Sequence, residues 1–229
     1  MPPLAVTGQR PVSPANSIFT TNAWFVFGGV CFIYLFFNWY LQTQVLTDEV
    51  YTYSLGGQVN QGTLTTFLAG QRRAVGMSYL LVPVALLFKM VLVSLCIFAG
   101  LVLTSENLSF PTVFRIVLFA ESAFVAGTLL RLLLLAFSGG VESLGQYMAF
   151  APLSLYSLFP SVSIPNWLVY PLQTLDVFQV MYVCLLAKGL QHYGKKPFRA
   201  SIEMVAGSYG VGLAVCMIGF AFISVIYNP

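Results

Sequence analysis

The sequence predicts an all-α protein, a polytopic transmembrane bundle of six helical spans. Three observations lead there. The 229 residues are 58% hydrophobic and 7% charged, with a mean hydropathy of +0.84, whereas an ordinary soluble domain carries about a quarter charged residues. The apolar residues gather in long runs, and a spanning helix needs roughly 20 of them. Open strands cannot cross lipid, because each unpaired backbone group there costs several kcal/mol, and these runs are too long and unbroken for barrel strands. The same composition excludes a soluble globular enzyme, a nucleic-acid binder and a disordered regulator.

The N-terminal stretch MPPLAVTGQRPVSP has Pro and Gly where a signal peptide needs an apolar core, so residues 1–22 read as an extramembrane segment without a cleavable signal. The first span runs over residues 23–41, with Trp24 and Trp39 near its ends as the aromatic belt requires. Residues 42–74 form a cytoplasmic connector. In it Thr47 can cap a short helix with Asp48 and Glu49 at the positive end of the dipole, and Gly56-Gly57 would stop it. A second short helix from Thr63 would put Leu64, Phe67 and Leu68 on one face before Arg72-Arg73. That is either a connector tucked under the bundle or an interfacial helix for a lipid or a partner. The remaining runs, within a five-helix domain of residues 75–229, are Met77–Leu103, Val113–Phe137, Leu144–Leu158, Leu168–Leu190 and Met204–Tyr227.

If six spans alternate, Arg72, Arg73, Arg131, Lys188, Lys195, Lys196 and Arg199 fall on one side, and Arg10 with Arg115 on the other. The positive-inside rule then puts the richer loops in the cytoplasm and both termini outside. A five-span alternative, with the first run not crossing, moves the N-terminus inside.

Three ionisable residues lie well inside the runs: Lys89, Glu121 and Asp176. Counting about 1.5 Å per residue brings them within about 10 Å of a common depth. Isolated charges at mid-bilayer cost at least about 2.5–3.5 kcal/mol each, so Lys89 is expected to pair with Glu121, Asp176 or both. The pair either fixes helix neighbours and register or marks a polar pathway for an ion-coupled carrier. The basic loop with Lys188, His192, Lys195, Lys196 and Arg199 enforces topology and touches anionic headgroups, or docks a cytoplasmic partner. One histidine in a basic loop makes neither a catalytic nor a metal-binding pattern. Cys31, Cys96, Cys184 and Cys216 lie in apolar runs without paired spacing and read as small hydrophobes. No metal, cofactor or catalytic set is expected. Small residues recur every four positions in the last run (Ala206, Gly210, Ala214, with Ser208, Gly212 and Cys216 beside them), which suits close helix packing in lipid.

From about residue 75 to 226 the chain resembles the Yip (Ypt-interacting protein) domain family. The residues that carry the resemblance are Gly145, Tyr147 and Pro152, then Leu175-Asp176-Val177-Phe178, then Leu186, Gly189 and Leu190, followed by a basic loop and a Gly/Ala-rich last run. The resemblance implies a five-span core with a cytoplasmic N-terminus, to which the first run is an addition. It also implies a non-enzymatic membrane protein. The eukaryotic branch is linked to vesicle trafficking and Rab-class GTPases, but its long acidic, Pro-rich N-terminal region and Asp-Leu-Tyr-Gly-Pro motif are missing here. A prokaryotic member in a bacterial cytoplasmic (inner) membrane is therefore the expectation, with the Golgi or endoplasmic reticulum as the alternative. The expected role is a scaffold or assembly partner in a membrane complex, with membrane lipids and a protein as partners; the alternative is a small ion-coupled permease using Lys89, Glu121 and Asp176.

Overall fold

A computed structural model describes residues 22–56, 60–138, 141–159 and 164–227. The expectations for residues 1–21, Arg10 among them, and for Gly57 lie outside the described residues. The described chain is helical, with no strand. In order it forms α1 (Ala23–Tyr40), α2 (Asp48–Leu55), α3 (Gln61–Leu103), α4 (Phe110–Ala120), α5 (Ser122–Phe137), α6 (Leu144–Ala149), α7 (Asn166–Thr174), α8 (Val177–Gly194), α9 (Phe198–Val205) and α10 (Val211–Tyr227). A π segment, Leu41–Val45, continues α1, and another, Ala206–Gly210, joins α9 to α10.

Four stretches are long and apolar enough to cross a membrane: Ala23–Val45, Gln61–Leu103, Phe110–Phe137 and Phe198–Ile226. Their large apolar side chains point outward as well as inward; Leu80, Phe88 and Leu95 on α3 and Val215, Ile218 and Phe222 on α10 are exposed. Contiguous apolar surface of this extent needs a cover, and a lipid bilayer supplies it. The described chain is that of a helical membrane protein.

Helix continuity follows from local chemistry. Asn22 caps α1 by accepting from the Trp24 amide, which satisfies one of the donors a helix start leaves open. Pro111 occupies the first turn of α4, where its fixed φ suits the helix and its missing N–H costs nothing. Backbone bonds from Glu121 to the Val117 carbonyl and from Val125 to the Glu121 carbonyl, both 3.0 Å, carry α4 into α5. The core is a layer of buried residues from α3 (Met90, Val93, Ile97), α4 (Val113, Ile116, Val117) and α8 (Tyr182, Leu186).

Small residues set the closest approaches. A Cβ at Gly189 would lie 2.4 Å from Ile116 Cγ2, one at Gly100 2.7 Å from Ser208 Cβ, and one at Gly212 3.2 Å from Cys96 Sγ. Of the small residues in the last run, Ser208 and Gly212 therefore face α3, as packing of helices in lipid favours.

Among the described residues the backbone traverses the bundle five times. Ala23 and Trp24 share a groove with Phe110 and Tyr193 at one end, and Val45 packs with Leu41, Leu135 and Val141 at the other. Lys196 is ion-paired with Glu106, just beyond the C-terminus of α3, so the α8–α9 turn returns to the first end. Residues 141–194 thus make one net pass, where the sequence predicts two.

The reason lies in the fourth apolar run. Residues 144–158 do not form a spanning helix; they give the six-residue α6 and a 3-10 turn, Leu155–Leu158. Pro152 interrupts the run, Leu153 adopts a left-handed φ of 60°, and the segment is stitched instead to the start of α8. Leu155 donates to the Leu175 carbonyl at 2.9 Å and Val177 to the Leu153 carbonyl at 3.2 Å. The fifth run is likewise divided, into α7 and α8, at Leu175–Asp176.

This changes the charge map. Arg72 and Lys196 lie near opposite ends of α3, roughly 45 Å apart along its axis at ~1.5 Å per residue. Arg72, Arg73 and Arg131 therefore do not share an end with Lys188, Lys195, Lys196 and Arg199, and the grouping of seven on one side is corrected to three against four. The connector is corrected too. From Gln61 onward it is not a separate interfacial helix but the first part of α3. Its expected apolar face holds α2: Leu64 is buried, Phe67 packs edge-on against Tyr51 at 6.0 Å, and Gln71 donates to the Tyr51 hydroxyl at 3.0 Å.

Candidate functional site

Glu121 sits where α4 passes into α5, facing inward and fully buried. Two donors meet its Oε1: Lys89 Nζ from α3 at 2.7 Å and the Tyr34 hydroxyl from α1 at 3.2 Å. Its Oε2 is buried without a hydrogen-bond partner. One carboxylate oxygen thus ties three helices together. The expected pairing of Lys89 with Glu121 is present; Lys89 makes no ion pair with Asp176.

Lys89 has further partners. Its ammonium lies 3.9 Å from the Phe124 ring centroid and 5.8 Å from that of Tyr182, so ring quadrupoles add to the carboxylate in holding the charge. The Lys89 side chain keeps 41% exposure against none for Glu121. That exposure faces two cavities. One, of about 280 Å³, is walled by Lys89, Tyr34, Thr128, Arg131, Gln173 and Asp176. The other, of about 380 Å³, is walled by Lys89, Cys96, Asp176, Gln179, Tyr209 and Cys216.

Asp176 belongs to both walls but also has a structural role. It is the N-cap of α8, and its Oδ1 accepts from the Gln179 amide at 2.6 Å. Gln179 in turn donates to the Tyr209 hydroxyl at 2.8 Å, linking α8 to the π segment before α10. All three sequence-predicted intramembrane residues therefore lie around one region, with only two of them in contact.

Three polar participants are not foreseen by the sequence. Tyr34 and Tyr182 read as ordinary aromatics within apolar runs; a phenol far from either end of such a run is the signal that marks them. Arg131 is expected at a helix end, yet it lines the cavity with its Nε buried and unpartnered and its guanidinium 5.0 Å from the Tyr147 ring.

The basic residues of the second candidate group divide in two. Lys196 pairs with Glu106, and Arg199 with Glu203 at 3.1 Å one helical turn on. Lys188 and Lys195 have no carboxylate within 4.0 Å among the described residues. His192 stacks edge-on with Tyr193 at 5.1 Å. Among the described residues no cluster of His, Cys, Asp and Glu could hold a metal ion. No protein-family model, curated protein or solved structure matches this chain.

Proposed function

We propose that the protein is a non-catalytic integral membrane protein that acts as a scaffold or assembly partner in a membrane complex. The observation that carries this reading is the length of α3. Its 43 residues extend about 64 Å, roughly twice the ~30 Å hydrocarbon thickness, so the part before about Met77 stands outside the lipid. There α2 is fastened to it by the Arg72–Asp48 ion pair and by Tyr51, which contacts Phe67 and Gln71. An ordered shoulder with Tyr53 exposed on it suits a protein partner.

In this reading the five passes are five membrane crossings rather than six. Arg115, Lys188, Lys195, Lys196 and Arg199 at one end outnumber Arg72, Arg73 and Arg131 at the other, which favours the Lys195 end as cytoplasmic. This orientation starts the first run on the cytoplasmic side but puts residue 75, where the Yip-like resemblance begins, on the other. Of the expectations tied to that resemblance, the proposal keeps the bacterial inner membrane and not the orientation of the core. Isolation of the full chain from its native membrane in mild detergent tests the proposal. A stoichiometric companion protein is expected, released by Tyr53→Glu; recovery of the chain alone overturns it.

One observation favours a second reading. The break between α7 and α8 at Leu175–Asp176 opens on the Lys89 cavities, and interrupted helices beside intramembrane charges are a feature of carriers. Proton or solute flux in liposomes that falls with Glu121→Gln and with Asp176→Asn would support it; unchanged flux would remove it.

A further inference from the structure

A groove of about 800 Å³ runs between α1, α4 and α8 on the outside of the bundle. Its inner part is apolar, formed by Val26 and Val30 of α1, Leu118 of α4 and Leu185 of α8. Its mouth is formed by Lys188, Gln191, His192 and Lys195. Lys188, Gln191 and His192, three and four residues apart, share one face of α8, and Lys195 follows the helix as its left-handed C-cap (φ 53°); all four border the groove.

The sorting of charge in the loop is the second observation. Of its four lysines and arginines, Lys196 and Arg199 are occupied by Glu106 and Glu203, and neither lines the groove. Lys188 and Lys195 carry no ion pair among the described residues, and both line it. No Asp or Glu borders the groove. The two cations left over are therefore the two that face the groove, whose polar rim runs about 9 Å along α8 from Lys188 to the helix end at Gly194, with Leu185 about 4.5 Å further in at ~1.5 Å per residue.

We propose that this groove is a specific site for one anionic glycerophospholipid, whose phosphate is bound by Lys188 and Lys195 while an acyl chain lies over Val26, Val30, Leu118 and Leu185. Basic pockets between membrane helices bind anionic headgroups in this way. A free phosphate would satisfy the lysines but leave the apolar slot open to lipid tails, and a zwitterionic lipid would fill the slot while its own amine opposes the lysines. The carbonyl end of the α8 dipole works against an anion here, but over one turn it amounts to about half a charge against two full cations. The inference rests on the chain lying in a membrane and is independent of whether it assembles partners or carries a solute.

The test uses the full chain, purified in detergent, stripped of lipid and titrated by native mass spectrometry with phosphatidylglycerol, phosphatidylcholine and inorganic phosphate. One phosphatidylglycerol is expected to bind in preference to phosphatidylcholine. Each surface lysine contributes about fivefold, so Lys188→Ala with Lys195→Ala should lower the preference roughly 25-fold. Lys196→Ala with Arg199→Ala, equal in charge removed, should leave it unchanged. Leu185→Trp, which fills the slot without touching the lysines, should abolish the bound lipid. Equal loss from both lysine and control pairs, equal uptake of phosphatidylcholine, or binding of inorganic phosphate that competes fully with phosphatidylglycerol and ignores Leu185→Trp would each overturn the proposal.

Discussion

Lys89 of α3 and Glu121 of the α4–α5 joint are bound at 2.7 Å across a boundary, with the carboxylate sealed in the core and the lysine open to two cavities. The two halves of the pair should therefore respond unequally to removal. Lys89→Met leaves a buried carboxylate with only the Tyr34 hydroxyl on one oxygen and nothing on the other. Removing one partner of a buried pair costs about 3–5 kcal/mol, and Lys89→Met should fall in that range in detergent thermal unfolding. Glu121→Gln leaves a lysine that can turn toward the cavities, and should cost less than half as much. The double variant Lys89→Met with Glu121→Leu should recover most of the loss. Equal costs for the two single variants would mean that the asymmetry of burial has no energetic consequence.

Much of this site is legible in the chain itself. Lys89 and Glu121 stand out because charge in an apolar run must find a partner, and the helical rise alone brings them to one depth. Tyr34, the third member, does not stand out, because a tyrosine is cheap in a membrane helix and its hydroxyl carries no net charge. Chain direction is the larger miss. The run at residues 144–158 is apolar enough for lipid, but nothing in composition tells a helix from a segment whose Leu153 and Leu155 pair their backbone with Val177 and Leu175. One pass fewer inverts every assignment upstream of it, which is why Arg72 and Lys196 lie at opposite ends of α3.

The contact between Glu106 and Lys196 makes that difference measurable. Six alternating spans would hold the turn after α3 and the turn after α8 on opposite faces of the membrane; the five-pass bundle joins them. In a background with Cys31, Cys96, Cys184 and Cys216 replaced by Ala or Ser, Glu106→Cys with Lys196→Cys should cross-link with a short bifunctional reagent in intact membranes. Single cysteines at Thr66 and Lys195 should label from opposite faces. Labelling of Thr66 and Lys195 from the same face would restore the six-span arrangement.

Gly189 is the tightest point between α4 and α8. An alanine there would bring its Cβ to 2.4 Å from Ile116 Cγ2, and Ile116 is itself buried. With no room on either side, the two helices must part, and overpacking of this kind costs about 1–3 kcal/mol. Gly189→Ala should therefore lower thermal stability by that amount, and Gly189→Leu should prevent a folded product. Ile116→Ala creates the missing space, so Gly189→Ala with Ile116→Ala should be more stable than the sum of the two single changes. Strict additivity would show that the helices do not touch at this position.

Asp176 can be tested separately as a helix cap and as a member of a pathway. Its side chain accepts from the Gln179 amide at the first turn of α8, and an asparagine oxygen can accept the same bond, since Asn and Asp are about equal as N-caps. Asp176→Asn should then leave the melting temperature within the error of wild type. Asp176→Ala should cost about 1 kcal/mol through the lost cap, and more if the Leu153–Val177 stitch loosens with it. A carrier that used the carboxylate as a charge would respond in the opposite order, losing flux fully with Asp176→Asn while remaining folded. Stability and flux measured on the same two variants therefore distinguish the roles. A drop in stability for Ala alone marks a helix cap, and a drop in flux for Asn marks a charged member of a pathway.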